Sequence, residues 1–411
     1  MKAKKIGYFL PERKRKKLNF DSFTTLCKAR EIIVAPVDLL QSLEDQGPYD
    51  LIIHKLTDVI TRAQDGDNKA KQMMSNLQEY VRKHPHVIVL DPINAVRKLM
   101  DRHQSYQIIQ DCIRRNKELK GKVAVPRFFE IKSSSISTQK AAAALKCAQV
   151  SFPCVCKPSQ AHGSVTSHKM AIIFNEAGLK DVVAPYVAQT FISHNAVLYK
   201  LFFIGDQYFT VQRPSLKNFT AGEHSTIFFD SHDVSKPNSS SFLNELDEKD
   251  LNRRAIEPES DTLNRLAKVL RIELGMALFG VDVIVENNSG IHYIIDINAF
   301  PGYDGVPEFR QALFNHVQQE LSKVTNSILP LNSENNCLSS EDESSPKEAS
   351  IKEILSYDLT EKELCKDGQL RQLKRSLSSS SDTLSDHLRN GQKNEKEFFQ
   401  KRAAITANSD S

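Results

Sequence analysis

No stretch of this chain is apolar over the length needed to span a bilayer, and the lysines near Met1 (Lys2, Lys4, Lys5) are not followed by an apolar run of signal-peptide length. The expectation is a protein without a membrane span, located in the cytoplasm with some nuclear presence. Cysteine is sparse: seven residues, irregularly placed, with Cys154 and Cys156 two apart in an apolar run. That spacing fits neither a disulfide framework nor a zinc knuckle and points to a reducing compartment. Charge of one sign is lacking as well. A net charge of +4 over 411 residues excludes a global polycation of the kind that grips nucleic acid, so attraction for phosphates has to come from local clusters. The P-loop pattern is missing, as are the Asp-Phe-Gly and His-Arg-Asp signatures of protein kinases. There is no internal repeat, and no coiled coil or exposed strand pattern demands a dimer, so a monomer is expected.

What is present is an alternation of strands and helices. At 40% hydrophobic residues the chain can build more than one core. Lys5-Ile-Gly-Tyr-Phe-Leu10, Ile32 to Val37, Asp50 to His54 and Val87 to Leu90 read as strands, with helical spacing over 18–30 and a polar helix from Arg62 to Lys83. This predicts a parallel α/β domain over 1–95. A helix over 94–116 leads into a central α+β unit over 96–195, with strands at 127–130, 152–157, 170–174 and 186–191. A third unit over 196–330 has strands near 197–204, 207–213, 279–286 and 291–298, and helices at 260–274 and from Glu308 to about Val324. Beyond it, 331–411 is Ser-rich and polar and reads as a disordered tail, with a weak amphipathic helix near 351–375 and a basic Arg371 to Ser376 stretch that resembles a phosphorylation site.

The most informative stretch runs from Leu278 to Gly302. If Asn288-Ser289-Gly290 is a three-residue hairpin loop closed by Asn287 and Ile291, then Asp282 lies opposite Asp296, and Asn298 shares their face. Two carboxylates opposed in apolar strands repel and lose hydration, and a hard divalent cation with oxygen ligands resolves that cost. The competing reading is a set of ordinary sheet-end residues. Pro301-Gly302, directly after the strand, favours the metal.

A triphosphate needs another grip. Lys157 ends a buried strand and is followed by the small, polar loop from Ser159 to His168, which can fold backbone amides over phosphates. Taken singly, Lys157 also fits a snorkelling lysine and Gly163 a simple turn; their adjacency favours the phosphate reading. Gln189, Thr190, Phe191 and Ile192 stand where a strand ends, offering backbone hydrogen bonds and an apolar wall for a base. Cations for an anionic substrate occur at Arg13 to Lys17, His54-Lys55, His168, Lys200 and Arg213. The run at 13–17 equally fits a nuclear-localisation patch or a solvated helix start.

Taken together, His54-Lys-Leu-Thr-Asp58, Phe152-Pro-x-x-x-Lys157, His162-Gly163 with His168, His194-Asn-Ala-Val-Leu-Tyr-Lys200, Gln212-Arg-Pro-Ser-Leu216 and Asp296-Ile-Asn-Ala-Phe-Pro-Gly302 closely resemble the inositol-tetrakisphosphate 1-kinase family, also described as inositol trisphosphate 5/6-kinases. The likeness covers about residues 5–325. It implies an ATP-grasp fold, an N-terminal parallel α/β domain with two ATP-clasping α+β subdomains, that transfers the ATP γ-phosphate to a soluble inositol polyphosphate. The implied acceptors are inositol 3,4,5,6-tetrakisphosphate at position 1 and inositol 1,3,4-trisphosphate at positions 5 and 6. Carried over by motif, Arg102, Lys157, Gln189 to Lys200, Ser215, Ser231 and Ser235 contact ATP. Asp282, Asp296 and Asn298 hold magnesium, with two ions expected. Lys14, Lys55, His168, Lys200, Arg213, Asn298 and Gly302 receive the inositol phosphates, and Lys200 and His168 are the candidates to assist transfer. A non-catalytic inositol polyphosphate scaffold and a different ATP-grasp ligase are the alternatives; the cations favour the kinase over the ligase, and Asp282, Asp296, Asn298 and Lys157 favour it over the scaffold.

Overall fold

The short apolar runs near the N-terminus assemble into one layer. The computed structural model describes residues 3–163 and 166–328, with side chains to residue 323. In it β1 (Lys5–Phe9), β2 (Ile33–Pro36), β3 (Leu51–His54) and β4 (Ile88–Leu90) form an all-parallel sheet in the order β2-β1-β3-β4. All four residues of β3 are buried, as a parallel strand covered on both faces requires.

The connecting helices differ from expectation in where they break. α1 (Glu12–Lys17) takes in the basic run, and the segment read as a helix over 18–30 is α2 (Phe20–Lys28), which follows a left-handed Asn19 at φ 47°. After α3 (Leu43–Gln46), the polar stretch 62–83 divides, into α4 (Thr57–Gln64) and α5 (Asn68–Lys83). Gly66 at φ 100° turns the chain there, and the Asp67 carboxylate accepts from the amides of Lys69 and Ala70. Likewise 94–116 divides into α6 (Ile93–Lys98) and α7 (Arg102–Arg115), with Asp101 capping the amide of Gln104. Polar side chains that satisfy exposed helix amides stop helices that propensity alone would continue.

The second sheet is antiparallel, in the order β12-β8-β7-β9-β6. It contains β6 (Phe128–Ile131), β7 (Cys154–Pro158), β8 (Lys169–Ile173), β9 (Tyr186–Thr190) and β12 (Ile227–Asp230), with α8 (Thr138–Cys147) packed on one face. The third sheet runs β11-β10-β13-β14-β5: β5 (Val123–Ala124) lies parallel to β14 (His292–Ala299), while β10 (Val197–Ile204), β11 (Gln207–Pro214) and β13 (Leu278–Val285) pair antiparallel. The helices α9 (Ser231–Ser235), α10 (Ser260–Leu274) and α11 (Phe309–Ile328) complete the described chain. β5 and β12 each cross over to close the edge of a sheet built mostly from the other half of the sequence. One apolar cluster joins the first and third sheets, with Phe20 and Phe23 of α2 packing in it beside Leu313 and Val317 of α11.

Cys27, Cys112, Cys147, Cys154 and Cys156 are free thiols. Among the described residues no helix is long and apolar enough to cross a membrane. The expected tail over 331–411, with its helix near 351–375 and its Arg371 to Ser376 stretch, lies outside the described residues.

Candidate active site

The β13–β14 hairpin keeps the expected pairing by an unexpected route. Its loop has four residues rather than three: Glu286 and Ile291 close it, the amide of Glu286 donating to the Ile291 carbonyl at 3.0 Å and Gly290, left-handed at φ 69°, donating to the Glu286 carbonyl at 3.0 Å. Continued regularly, that register would place Asp282 opposite Ile295. A bulge intervenes. Val283 pairs with Ile294 and Asp282 with Asp296, leaving Ile295 as the extra residue. The extra residue restores the opposed carboxylates and turns the Ile295 carbonyl inward, where it accepts from Lys157 Nζ at 2.6 Å and from the Tyr106 hydroxyl at 2.6 Å.

One row of side chains now crosses three strands. Lys200 of β10 pairs with Asp282, and Asp282 with Asp296. Lys200 Nζ donates to both Asp282 oxygens, at 2.9 and 2.7 Å, and Asn298 stands two residues beyond Asp296 on the same face, its amide 3.5 Å from the Asp296 carboxylate. Burial raises the Asp282 pKa against the opposing pull of Lys200, and the Asp296 charge raises it further. Burial also acts to raise Asp296, but Arg102, Lys157, His162 and Lys200 together outweigh it and hold Asp296 below the usual carboxylate range. Among the described residues no cluster of three His, Cys, Asp or Glu side chains could hold a metal. The oxygen set here is two carboxylates and one carboxamide, which suits a hard cation, and Lys200 already provides a positive charge against Asp282.

Lys157 approaches from the other sheet. It is buried, donates to the Tyr106 hydroxyl at 2.9 Å as well as to Ile295, and burial lowers its pKa to about 8. Arg102, at the start of α7, is 1% exposed; its amide donates to the Ser159 carbonyl at 2.9 Å, its guanidinium donates to the Pro158 carbonyl, and its Nε stands 3.6 Å from Asp296. Several buried polar atoms here lack a hydrogen-bond partner: Arg102 Nε, Ser159 Oγ, His162 Nε2 and Gln189 Nε2. Such atoms are costly to leave unmade unless a ligand completes them.

The strand-end segment Gln189 to Ile192 is split between two sides. Gln189 and Phe191 face inward, Phe191 packing on His194 and Phe219. Thr190 points the other way: its hydroxyl accepts from the Ser151 amide at 3.1 Å, and with Ile192 it lines a separate surface cavity of about 530 Å³. Only the backbone of these two residues is left to serve the inner cleft. His194 is pinned by the Ile192 carbonyl at 2.6 Å and the Ser215 hydroxyl at 2.7 Å. Asn218 holds the next residues, its Oδ1 accepting from the amides of His194 and Asn195 at 3.1 Å each and its Nδ2 donating to Asn195 Oδ1 at 2.7 Å. Ser231 donates its amide to the His168 carbonyl at 3.0 Å, while the Ser235 hydroxyl is turned back to the Ser231 carbonyl at 2.8 Å.

The cations expected for an anionic acceptor converge on one loop. Lys14 donates to the carbonyls of Phe300 (2.7 Å) and Pro301, Lys55 to that of Ala299 at 2.6 Å, and Arg213 to that of Asp304 at 2.6 Å. Lys17 pairs with Asp304 at 2.7 Å. A Cβ at Gly302 would meet only the flexible ends of Lys17 (Nζ, 2.7 Å) and Asp304 (Oδ2, 2.8 Å), so the loop lies directly against these charges. Burial, then the charges of Lys55 and Lys17, push the Lys14 pKa well down, and burial takes Lys55 to about 8. Crowded, desolvated cations held mainly by neutral carbonyls are poised for a polyanion. The His168 and His232 rings meet at a tilt of 41° with centroids 3.7 Å apart.

The structure therefore gathers Lys14, Lys55, Arg102, Lys157, Lys200, Arg213, Asp282, Asp296, Asn298 and Gly302 around a single cleft. Tyr106, His162 and the Ile295 carbonyl also belong to it and were missed. An aromatic within a helix and a bulge carbonyl leave no sequence signal; His162 stood in a quoted motif without a role.

Comparison with known proteins adds independent information. Residues 5–96 match the model of the inositol 1,3,4-trisphosphate 5/6-kinase pre-ATP-grasp domain, and residues 117–319 that of the inositol 1,3,4-trisphosphate 5/6-kinase ATP-grasp domain. The chain is 45% identical over 325 residues to an inositol-tetrakisphosphate 1-kinase of Xenopus laevis, covering 79% of this chain and 80% of that one. It is 42% identical to the Danio rerio protein of that name, over 80% and 82% of the two chains, and 34% identical to inositol-tetrakisphosphate 1-kinase 4 of Glycine max, over 74% and 84%. Among solved structures the D-cycloserine synthetase DcsG aligns at a TM-score of 0.49 and 10% identity, over 77% of this chain and 99% of that one, too distant to bear on the site.

Proposed function

The chain belongs to the inositol 1,3,4-trisphosphate 5/6-kinase family and is an ATP-using inositol phosphate kinase of the ATP-grasp fold, and we propose that it phosphorylates inositol 3,4,5,6-tetrakisphosphate at position 1 and inositol 1,3,4-trisphosphate at positions 5 and 6. The names of its relatives support a tetrakisphosphate acceptor taken at position 1, and the family description supports the trisphosphate. What carries the site assignment is the cross-strand row Lys200, Asp282, Asp296, with Lys157 on one side and the cations around 299–304 on the other.

Phosphoryl transfer needs alignment and charge neutralisation more than covalent help. Lys157 and Arg102 take the ATP phosphates, and the segment Gln189 to Lys200 holds the nucleotide with Ser215, Ser231 and Ser235. Thr190 and Ile192 act there through their backbone. Asp282, Asp296 and Asn298 are the ligands for magnesium, two ions in this reading; when bound, magnesium neutralises and orients the phosphates. Lys200 has to leave Asp282, and in doing so becomes free to meet an acceptor phosphate or the transferred group. Lys14, Lys55, His168, Arg213, Asn298 and Gly302 fix the inositol phosphates, and His168 assists transfer with Lys200. The domains follow: 1–95 for the acceptor, 96–195 and 196–330 for ATP. We place the enzyme as a monomer in the cytoplasm with some nuclear presence; the free thiols among its described residues support a reducing compartment.

The test is transfer of radiolabelled γ-phosphate from ATP to a panel of inositol tris- and tetrakisphosphates, with and without magnesium. Magnesium-dependent labelling of the two named acceptors is expected. Folded protein that binds inositol phosphates without labelling any of them would replace this reading with the scaffold.

A further inference from the structure

His162 lies between the two halves of the site and has no partner for its buried nitrogen. The residue is 9% exposed, and Nε2 is fully buried without a hydrogen bond. Its backbone is held from outside the cleft: the Thr61 hydroxyl on α4 donates to the His162 carbonyl at 3.3 Å. Gly163 follows at φ 82° so close to α4 that a Cβ would stand 2.2 Å from Thr61 Oγ1. The backbone at both residues is therefore held against α4. The charges it feels are Lys55 and His168 from the acceptor side, and Asp296 and Arg102 from the phosphate side. A group in that position stands where donor and acceptor meet.

We propose that His162 contacts the reacting group, donating Nε2–H to an oxygen of the phosphoryl being transferred. This rests on the kinase reading above. Burial, reinforced by Lys55, holds the imidazole neutral to about pH 3. The ring thus brings a donor without adding another cation to a site already crowded with them. A buried nitrogen left unmade is unfavourable, and an anionic oxygen arriving during transfer satisfies it in a dry environment where such bonds are strongest. The neighbouring cations neutralise phosphate charge; His162 supplies direction.

The experiment compares wild type with His162→Phe, His162→Gln and His162→Asn in steady-state phosphoryl transfer with magnesium, alongside binding of a non-hydrolysable ATP analogue and thermal melting. Glutamine places an amide N–H near the Nε2 position; asparagine reaches only as far as Nδ1, and phenylalanine keeps the ring without a donor. Loss of one preorganised donor gives a fall in kcat of about 100-fold for Phe and Asn, with analogue affinity changed less than about three-fold, and Gln retained within about five-fold of wild type. Equal rates for Gln and Asn overturn the proposal, and this comparison stands even if the Phe variant fails to fold. A Phe variant within about three-fold of wild type overturns it too, as does a Gln variant as inactive as Phe, which would assign the nitrogen to proton acceptance. Failure of wild type to transfer phosphate sinks the kinase reading itself, whereas an active wild type with indistinguishable variants sinks only this inference.

Discussion

Replacing Asp296 by asparagine changes one charge and almost no volume. In the free protein Asp296 is the common counter-charge of Arg102, Lys157 and Lys200, and it is held below the usual carboxylate range because those cations outweigh its burial. Its charged form is thus favoured by the fold, and Asp296→Asn lowers the melting temperature in chelator-treated buffer. Asp282 is the contrast. Burial raises its pKa despite Lys200, so the fold does not favour its charge, and Asp282→Asn leaves stability unchanged or higher. For catalysis, one carboxylate charge acting at about 4 Å through an effective dielectric of about 20 is worth about 4 kcal/mol. That corresponds to a loss of roughly a thousand-fold in turnover. The assay is γ-phosphate transfer at saturating ATP over a magnesium titration, with melting of both variants in parallel. Asp296→Asn activity within about ten-fold of wild type at every magnesium concentration would refute the metal and charge assignment. Equal melting of the two variants would refute the asymmetry between the carboxylates.

Three further outcomes follow from the same geometry. Lys55 and Lys157, both lowered to about 8, are part-deprotonated near pH 8 when no phosphate is present, and anions raise them. Binding of ATP and acceptor at pH 8 therefore takes up protons, read by calorimetry in two buffers of different ionisation enthalpy; no uptake contradicts the burial of these lysines. His54 and His194 are buried with pKa values of about 4, so the unfolded chain gains protons before the native one as pH falls below the usual histidine value, and stability is lost between about pH 6.5 and 4. Asp91, raised to about 6 by burial, works in the opposite direction, losing stability as pH rises through that value. With His162, also buried and lowered to about 3, three histidines against one aspartate leave a net loss of roughly 4 kcal/mol from pH 7 to 5, measured by urea denaturation; equal stability at the two values is the contrary result. Asn218→Ala removes the acceptor for the amides of His194 and Asn195. Its cost is about 2 kcal/mol of stability, with a raised KM for ATP and a smaller change in kcat; an unchanged KM would separate Asn218 from nucleotide binding.

The local pattern of the chain carried most of its architecture. Apolar runs between turn residues were enough for the parallel strands β1 to β4 and for the long strands β10, β11, β13 and β14, because strand periodicity is written in adjacent residues. That same period put Asp296 and Asn298 on one face. The sequence did not carry the helix breaks at Gly66 and Asp101, where a cap competes with propensity, or the edge strands β5 and β12, whose partners lie far away in the chain.

The hairpin shows the division most clearly. Alternation alone puts two carboxylates across from each other only if the loop has three residues; the loop has four, and the bulge at Ile295 restores the pairing. Lys157 and Tyr106 both donate to the carbonyl that the bulge turns inward. The cations proposed for the acceptor are brought together by tertiary structure as well: Lys14 and Lys55 reach the carbonyls of 299–301 from 244 to 287 residues away along the chain. Residue type and period fixed which groups could do chemistry and which way each strand presented them. Packing of three sheets decided which of those groups meet, because burial and charge balance act between segments that the local chain leaves far apart.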